Sequence, residues 1–125
     1  MNVLLSYPNE EVPPRIELLD VDDSVLYTVN VTESDESNEP LFNGYSGSGN
    51  CEGADLVFAG YGSPEEFAEL KAKGISVRGA VALVRYGHGF RGNKAAAAQA
   101  AGACGCLIYS DPANYKKGTA YPNGR

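Results

Sequence analysis

From Asp55 to Asp111 the sequence alternates between short apolar runs and helix-forming runs, and that alternation constrains the fold more than any other feature. "DLVFAGYG" opens it as a strand. "SPEEFAELKAKG" follows as a helix whose ends are written in its residues. Ser63 takes the N-cap, Pro64 the first helical position, Glu66 closes a capping box and Gly74 is the stop. Phe67, Leu70 and Lys71, spaced i, i+3, i+4, turn one apolar edge inward. "AVALVRY" (80–86) is the next buried strand, "NKAAAAQAAGA" a second helix ended by Gly102, and "GCLIYSD" a third strand. Alanine has the highest helix propensity, and its short side chain lets a helix lie close on a sheet. Strands linked through helices run parallel, so this half of the chain is α/β.

Before Asp55 the pattern is different. "RIELLD" (15–20) and "SVLYTVNV" (24–31) are apolar and β-branched, and the polar turn "VDDS" between them predicts a hairpin. "TESDESNEP" then gathers acids without an apolar residue, and "FNGYSGSGNCEG" is glycine punctuation, so residues 32–53 read as one exposed acidic and glycine-rich loop. An EF-hand needs a central glycine that "ESDESNE" lacks, which leaves the acids as a solvated loop. The expected fold class is α+β, mixed: an N-terminal β-hairpin region followed by a β-α-β-α-β unit. The chain starts at a strand and stops at "AYPNGR", a turn, so residues 1–125 are expected to be part of one domain cut at both ends. Marginal stability in isolation is the corresponding expectation.

Composition excludes more than it assigns. Sixteen acids against ten Lys and Arg give a net charge of -6, which repels polyanions and argues against nucleic acid as a partner. No run approaches the roughly 20 apolar residues of a membrane span, and "MNVLLSYP" is too short and too uncharged for a signal peptide. His88 is the sole histidine, so no metal site is expected in this chain and no cofactor with it. No G-x-S-x-G elbow accompanies Ser48. The three cysteines cannot all pair internally. In extended chain the Cα atoms of Cys104 and Cys106 lie about 6.5 to 7 Å apart, at or beyond the disulfide limit. The three thiols read as buried and structural. Asn30-Val31-Thr32 is an N-glycosylation sequon in a polar stretch, which favours an extracellular or lumenal setting.

Against the acidic background, "RYGHGFRGNK" (85–94) concentrates Arg85, His88, Arg91 and Lys94 between a strand end and a helix start. Open α/β sheets bind ligands at such junctions, and a helix N-terminus adds unsatisfied N–H donors and positive potential. The expected guest is an anion. Arg91, between Phe90 and Gly92, is placed to offer its planar fork to a carboxylate, with the glycine leaving room beside it, or else to pair with one of the surface acids; from the residues alone Phe90 reads as a loop anchor and His88 as a solvated loop residue. The stretch lacks both the G-x-G-x-x-G spacing and the G-K-[ST] ending of phosphate-binding loops.

"NVLLSYPN", "DLVFAGYGSPEEFAELKAKGISVRGAVALVRYG", "FRGNKAAAAQAAGACGCLIYSDPANY" and "YPNG" together resemble the protease-associated (PA) apical domain of the glutamate carboxypeptidase II family, within the transferrin-receptor-like superfamily. "RYG...FRGNK" combined with "YSDP" resembles the carboxypeptidase branch in particular. The resemblance implies a fragment of the ectodomain of a type II membrane glycoprotein, extracellular or lumenal, whose parent is a homodimer. It implies a peptidase domain, absent from these residues, that carries two zinc ions and releases C-terminal residues from small peptides. The apical domain then covers the active site, with Arg91 holding the substrate's C-terminal carboxylate and Phe90 lining the same pocket. It assigns no catalytic residue to this chain, which alone should be inactive. The alternatives are a non-catalytic receptor-like parent and a stand-alone interaction module.

Overall fold

The computed structural model describes residues 9, 11–31, 43–44 and 46–114. The chain divides into two compact units, Met1–Ser48 and Gly49–Arg125. In the first, β1 (Glu17–Leu19) pairs antiparallel with β2 (Val25–Thr28), as the two apolar runs predict. The turn between them is tied by local acids: the Asp22 carboxylate accepts from Ser24 N–H at 3.1 Å, and Asp20 N–H donates to the Ser24 carbonyl at 2.8 Å. The register slips between Leu18 and Leu19. Asn30 follows β2 and is exposed. The acidic stretch 32–42 lies outside the described residues.

The second unit holds β3 (Leu56–Phe58), α1 (Pro64–Ala72), β4 (Val81–Arg85), α2 (Arg91–Ala101) and β5 (Gly105–Tyr109), followed by a 3-10 turn, Pro112–Asn114. The strands pair in parallel in the order β3-β4-β5, the α/β arrangement that the alternation predicts. Alternate strand residues face one way: Val57, Ala59, Ala82, Val84 and Cys106 pack with Phe67 of α1 and Ala98 of α2 into one core. Both helices therefore cover the same sheet face. Ala98 is 1% exposed, and Ala97 and Ala101 pack beside it, so the alanine run does bring α2 close to the sheet. On the other face Leu56, Phe58 and Leu107 are about half exposed or more.

Helix ends follow local chemistry. The Ser63 hydroxyl accepts from Glu66 N–H at 3.2 Å and the Glu66 carboxylate accepts from Ser63 N–H at 2.9 Å, the reciprocal pair that the sequence predicts. Gly74 and Gly102 end α1 and α2 at φ 78° and 91°, a left-handed conformation that costs glycine least. The second helix begins at Arg91, two residues earlier than "NKAAAA" indicates. Its N-cap is Phe90, whose side chain offers no acceptor, so the start carries no sequence signature.

The cysteines correct an expectation. Cys51 and Cys104 form a disulfide, with Cα atoms 6.0 Å apart, and Cys106 is the free, half-buried thiol. The pairing joins the lead-in to β3 with the lead-in to β5.

Candidate functional site

The carboxyl ends of β3 and β4 open into two turns, residues 60–63 and 86–90, that lead into α1 and α2. Tyr61 is the centre of the first. Its ring stacks on His88 with centroids 4.0 Å apart, its N–H donates to Glu66 Oε1 at 2.9 Å, and its hydroxyl donates to Asn114 Oδ1 at 3.4 Å. In the second turn Gly87, His88 and Gly89 all have positive φ, of 103°, 51° and 128°. For histidine this conformation is strained, and the stack on Tyr61 helps to hold it. His88 is exposed but not the simple solvated loop residue that the sequence indicates.

The four cationic or potentially cationic side chains of 85–94 do not act together. Arg85 forms an ion pair with Asp111, Nη2 to Oδ2 at 2.7 Å, and its Nη1 donates to the Tyr61 hydroxyl at 3.4 Å. Hydrogen bonding to Tyr61, then to Tyr109, raises its pKa further above the arginine range. Lys94 is only 3% exposed, and its ammonium donates to the carbonyls of Tyr61 at 2.6 Å and Gly87 at 2.5 Å. Two of the cations expected to attract an anion are therefore engaged by the fold itself. That corrects the reading of the stretch as one cationic loop.

Arg91 lies further along, at the helix start. It occupies the first position of α2, is exposed, and carries its guanidinium carbon 5.2 Å from the Phe90 ring centroid. No acid lies in the first turn of α2. Phe90 is 60% exposed, so it is not a buried anchor of the loop. A Cβ on Gly92 would sit 2.6 Å from Phe90 Cε1, so the missing side chain makes room for the aromatic ring, where the sequence had indicated room for a ligand. Gly92→Ala is expected to displace the Phe90 ring while changing stability by less than about 1 kcal/mol. Phenylalanine ring NMR shifts, read beside a thermal melt, check both parts.

Glu66 joins the capping box to the site. Burial pushes its pKa up, but the N–H donors of Ser63 and Tyr61, the Ser63 hydroxyl and the positive charge of Lys94 outweigh this, leaving it below the ordinary 4.5. A depressed folded pKa gives stability that is present above the unfolded value and lost as pH falls through the folded one. Between about pH 5 and 3 the wild-type chain is expected to lose stability more steeply than Glu66→Gln. Urea midpoints at several pH values measure that slope, and parallel curves would remove Glu66 from the acid response.

No local pattern in the sequence marks Tyr61 as a centre of contacts. Its flanking glycines, in "AGYGS", were the available signal of a turn rather than a strand end. Among the described residues no group of three or more His, Cys, Asp or Glu is placed to hold a metal ion.

The unit is thus a parallel three-stranded sheet with both helices on one face and an arginine opening the second helix. Residues 38–125 match the PA domain family, and the chain belongs to it. Its relatives include aminopeptidase NAALADL1 of Mus musculus, 35% identical over 128 residues, covering 97% of this chain and 17% of the relative. A glutamate carboxypeptidase 2 homolog of Caenorhabditis elegans is 46% identical over 67 residues, covering 54% of this chain and 9% of the relative. Transferrin receptor protein 2 of Mus musculus is 34% identical over 113 residues, covering 90% of this chain and 13% of the relative. These are peptidase and receptor members of the transferrin-receptor-like superfamily, as the motifs indicate. The chain spans less than a fifth of the length of each.

Proposed function

We propose that this chain is the substrate-recognising, active-site-covering PA domain of a zinc-dependent, glutamate-carboxypeptidase-like exopeptidase, and that Arg91 with Phe90 binds the C-terminal carboxylate of a small peptide. The observation that carries this reading is the placement of Arg91: exposed, first in α2, at the carboxyl end of β4 and over an exposed aromatic ring. A carboxylate there meets a planar fork of donors and the positive end of a helix together. The two zinc ions that the family resemblance implies belong, on the same reading, to a peptidase domain outside this chain. This domain's part is to bind and orient the peptide.

The same reading assigns the parent to an extracellular or lumenal ectodomain, as a homodimer, with sugar on Asn30. The Cys51–Cys104 disulfide supports an oxidising compartment, and the exposure of Asn30 is compatible with modification. No helix among the described residues is long and apolar enough to cross a membrane. A receptor-like parent is the second reading, favoured by the match to transferrin receptor protein 2. The test is to give the full-length parent a peptide ending in free glutamate and the same peptide amidated. Release of glutamate from the acid form, with the amide a poor substrate, supports the enzyme reading. Turnover of neither form overturns it in favour of the receptor.

A further inference from the structure

A lysine that is 3% exposed carries a charge that is costly to bury, and an apolar side chain could fill the same space without that cost. What the apolar residue could not do is hold two carbonyls at once. Lys94 donates to Tyr61 O in the turn leading to α1 and to Gly87 O in the turn leading to α2, while sitting in the first turns of α2 itself. One nitrogen ties three elements together. The Glu66 carboxylate, which accepts from Tyr61 N–H on the other side, feels the Lys94 charge, and the Lys94 Nζ lies 5.6 Å from the Tyr61 ring centroid.

The tie falls where the backbone has little else to hold it. Among the described residues, Gly87, His88 and Gly89 make no backbone–backbone hydrogen bond. Their two tethers are the Lys94 bond to Gly87 O and the stack of His88 on Tyr61. Both lead back to the 60–63 turn. Phe90 and Arg91 follow directly, so the position of the tethered turn sets where α2 begins and where the guanidinium stands.

We propose that Lys94 is a positioning residue for the Arg91 site: its buried ammonium clamps the 60–63 and 87–89 turns together and thereby fixes the presentation of Phe90 and Arg91. This rests on the carboxylate-binding reading above, and deepens it by naming what holds the site in shape.

The test uses the full-length parent with Lys94→Met, which keeps an apolar stem and removes the ammonium. Amide hydrogen exchange is expected to quicken by about tenfold or more in both turns, 60–63 and 86–90. The KM for a peptide with a free C-terminal carboxylate is expected to rise at least about fivefold, with kcat within about twofold and the amidated peptide little changed. If Lys94→Met does not fold, Lys94→Gln, which retains a donor for one carbonyl, carries the same measurements with smaller changes. Unchanged exchange in either turn, or equal losses on acid and amide, overturns the positioning role. Arg91→Ala separates the two ideas: if that variant fails to distinguish acid from amide, the carboxylate reading falls, while the clamp still stands or falls on the exchange data alone.

Discussion

Replacing Arg91 by alanine in the full-length parent is expected to raise the KM for peptides with a free C-terminal carboxylate by roughly 10- to 150-fold, and that for the amidated peptides by less than about threefold. The range follows from about 1.5–3 kcal/mol for hydrogen bonds to a charged group, at about 1.4 kcal/mol per tenfold. Arg91→Lys is a sharper probe than alanine. Lysine keeps the positive charge but loses the planar fork, so an intermediate KM would separate two-point recognition of a carboxylate from attraction to a cation. Steady-state kinetics on the acid and amide pair is the measurement. Equal losses on both peptides would take Arg91 out of carboxylate recognition.

What was legible in the sequence was what neighbouring residues decide between themselves. Ser63, Pro64, Glu66 and Gly74 define α1 within a dozen positions, and the structure reproduces the cap atom by atom. Strand and helix order follows from apolar spacing, and the junction of β4 with α2 follows from that order, which puts Phe90 and Arg91 at the strand-to-helix junction. Partners brought from far along the chain were not legible. Lys94 meets a carbonyl 33 residues away, and Cys51 meets Cys104 across a separation of 53. Local charge density therefore overstated the anion site, because nothing in "RYGHGFRGNK" shows that Asp111 and two turn carbonyls engage Arg85 and Lys94. Tyr61 is illegible for the same reason: its ring, hydroxyl, carbonyl and N–H each serve a different segment.

The disulfide leads to the other large effect. Cys51 and Cys104 are 53 positions apart, and closing a loop of that length restricts the unfolded chain by about 4 kcal/mol at 25 °C. Reduction, or the double substitution Cys51→Ser with Cys104→Ser, is therefore expected to lower the thermal midpoint of the chain by on the order of 15 °C or more. Between the two cysteines run β3, α1, β4 and α2, so the cross-link spans most of the α/β unit rather than a single turn. Cys106 does not offer an easy alternative partner. Burial raises its thiol pKa, although the charge of Lys94 pulls the other way, and a protonated thiol is a poor nucleophile for exchange. Thermal melts with and without dithiothreitol, read beside peptide mapping of the intact bond, decide the matter. Identical midpoints would mean that the bond adds nothing to stability. A free Cys51 in the mapped protein would go further, removing the structural argument for an oxidising compartment and leaving the Asn30 sequon to support it.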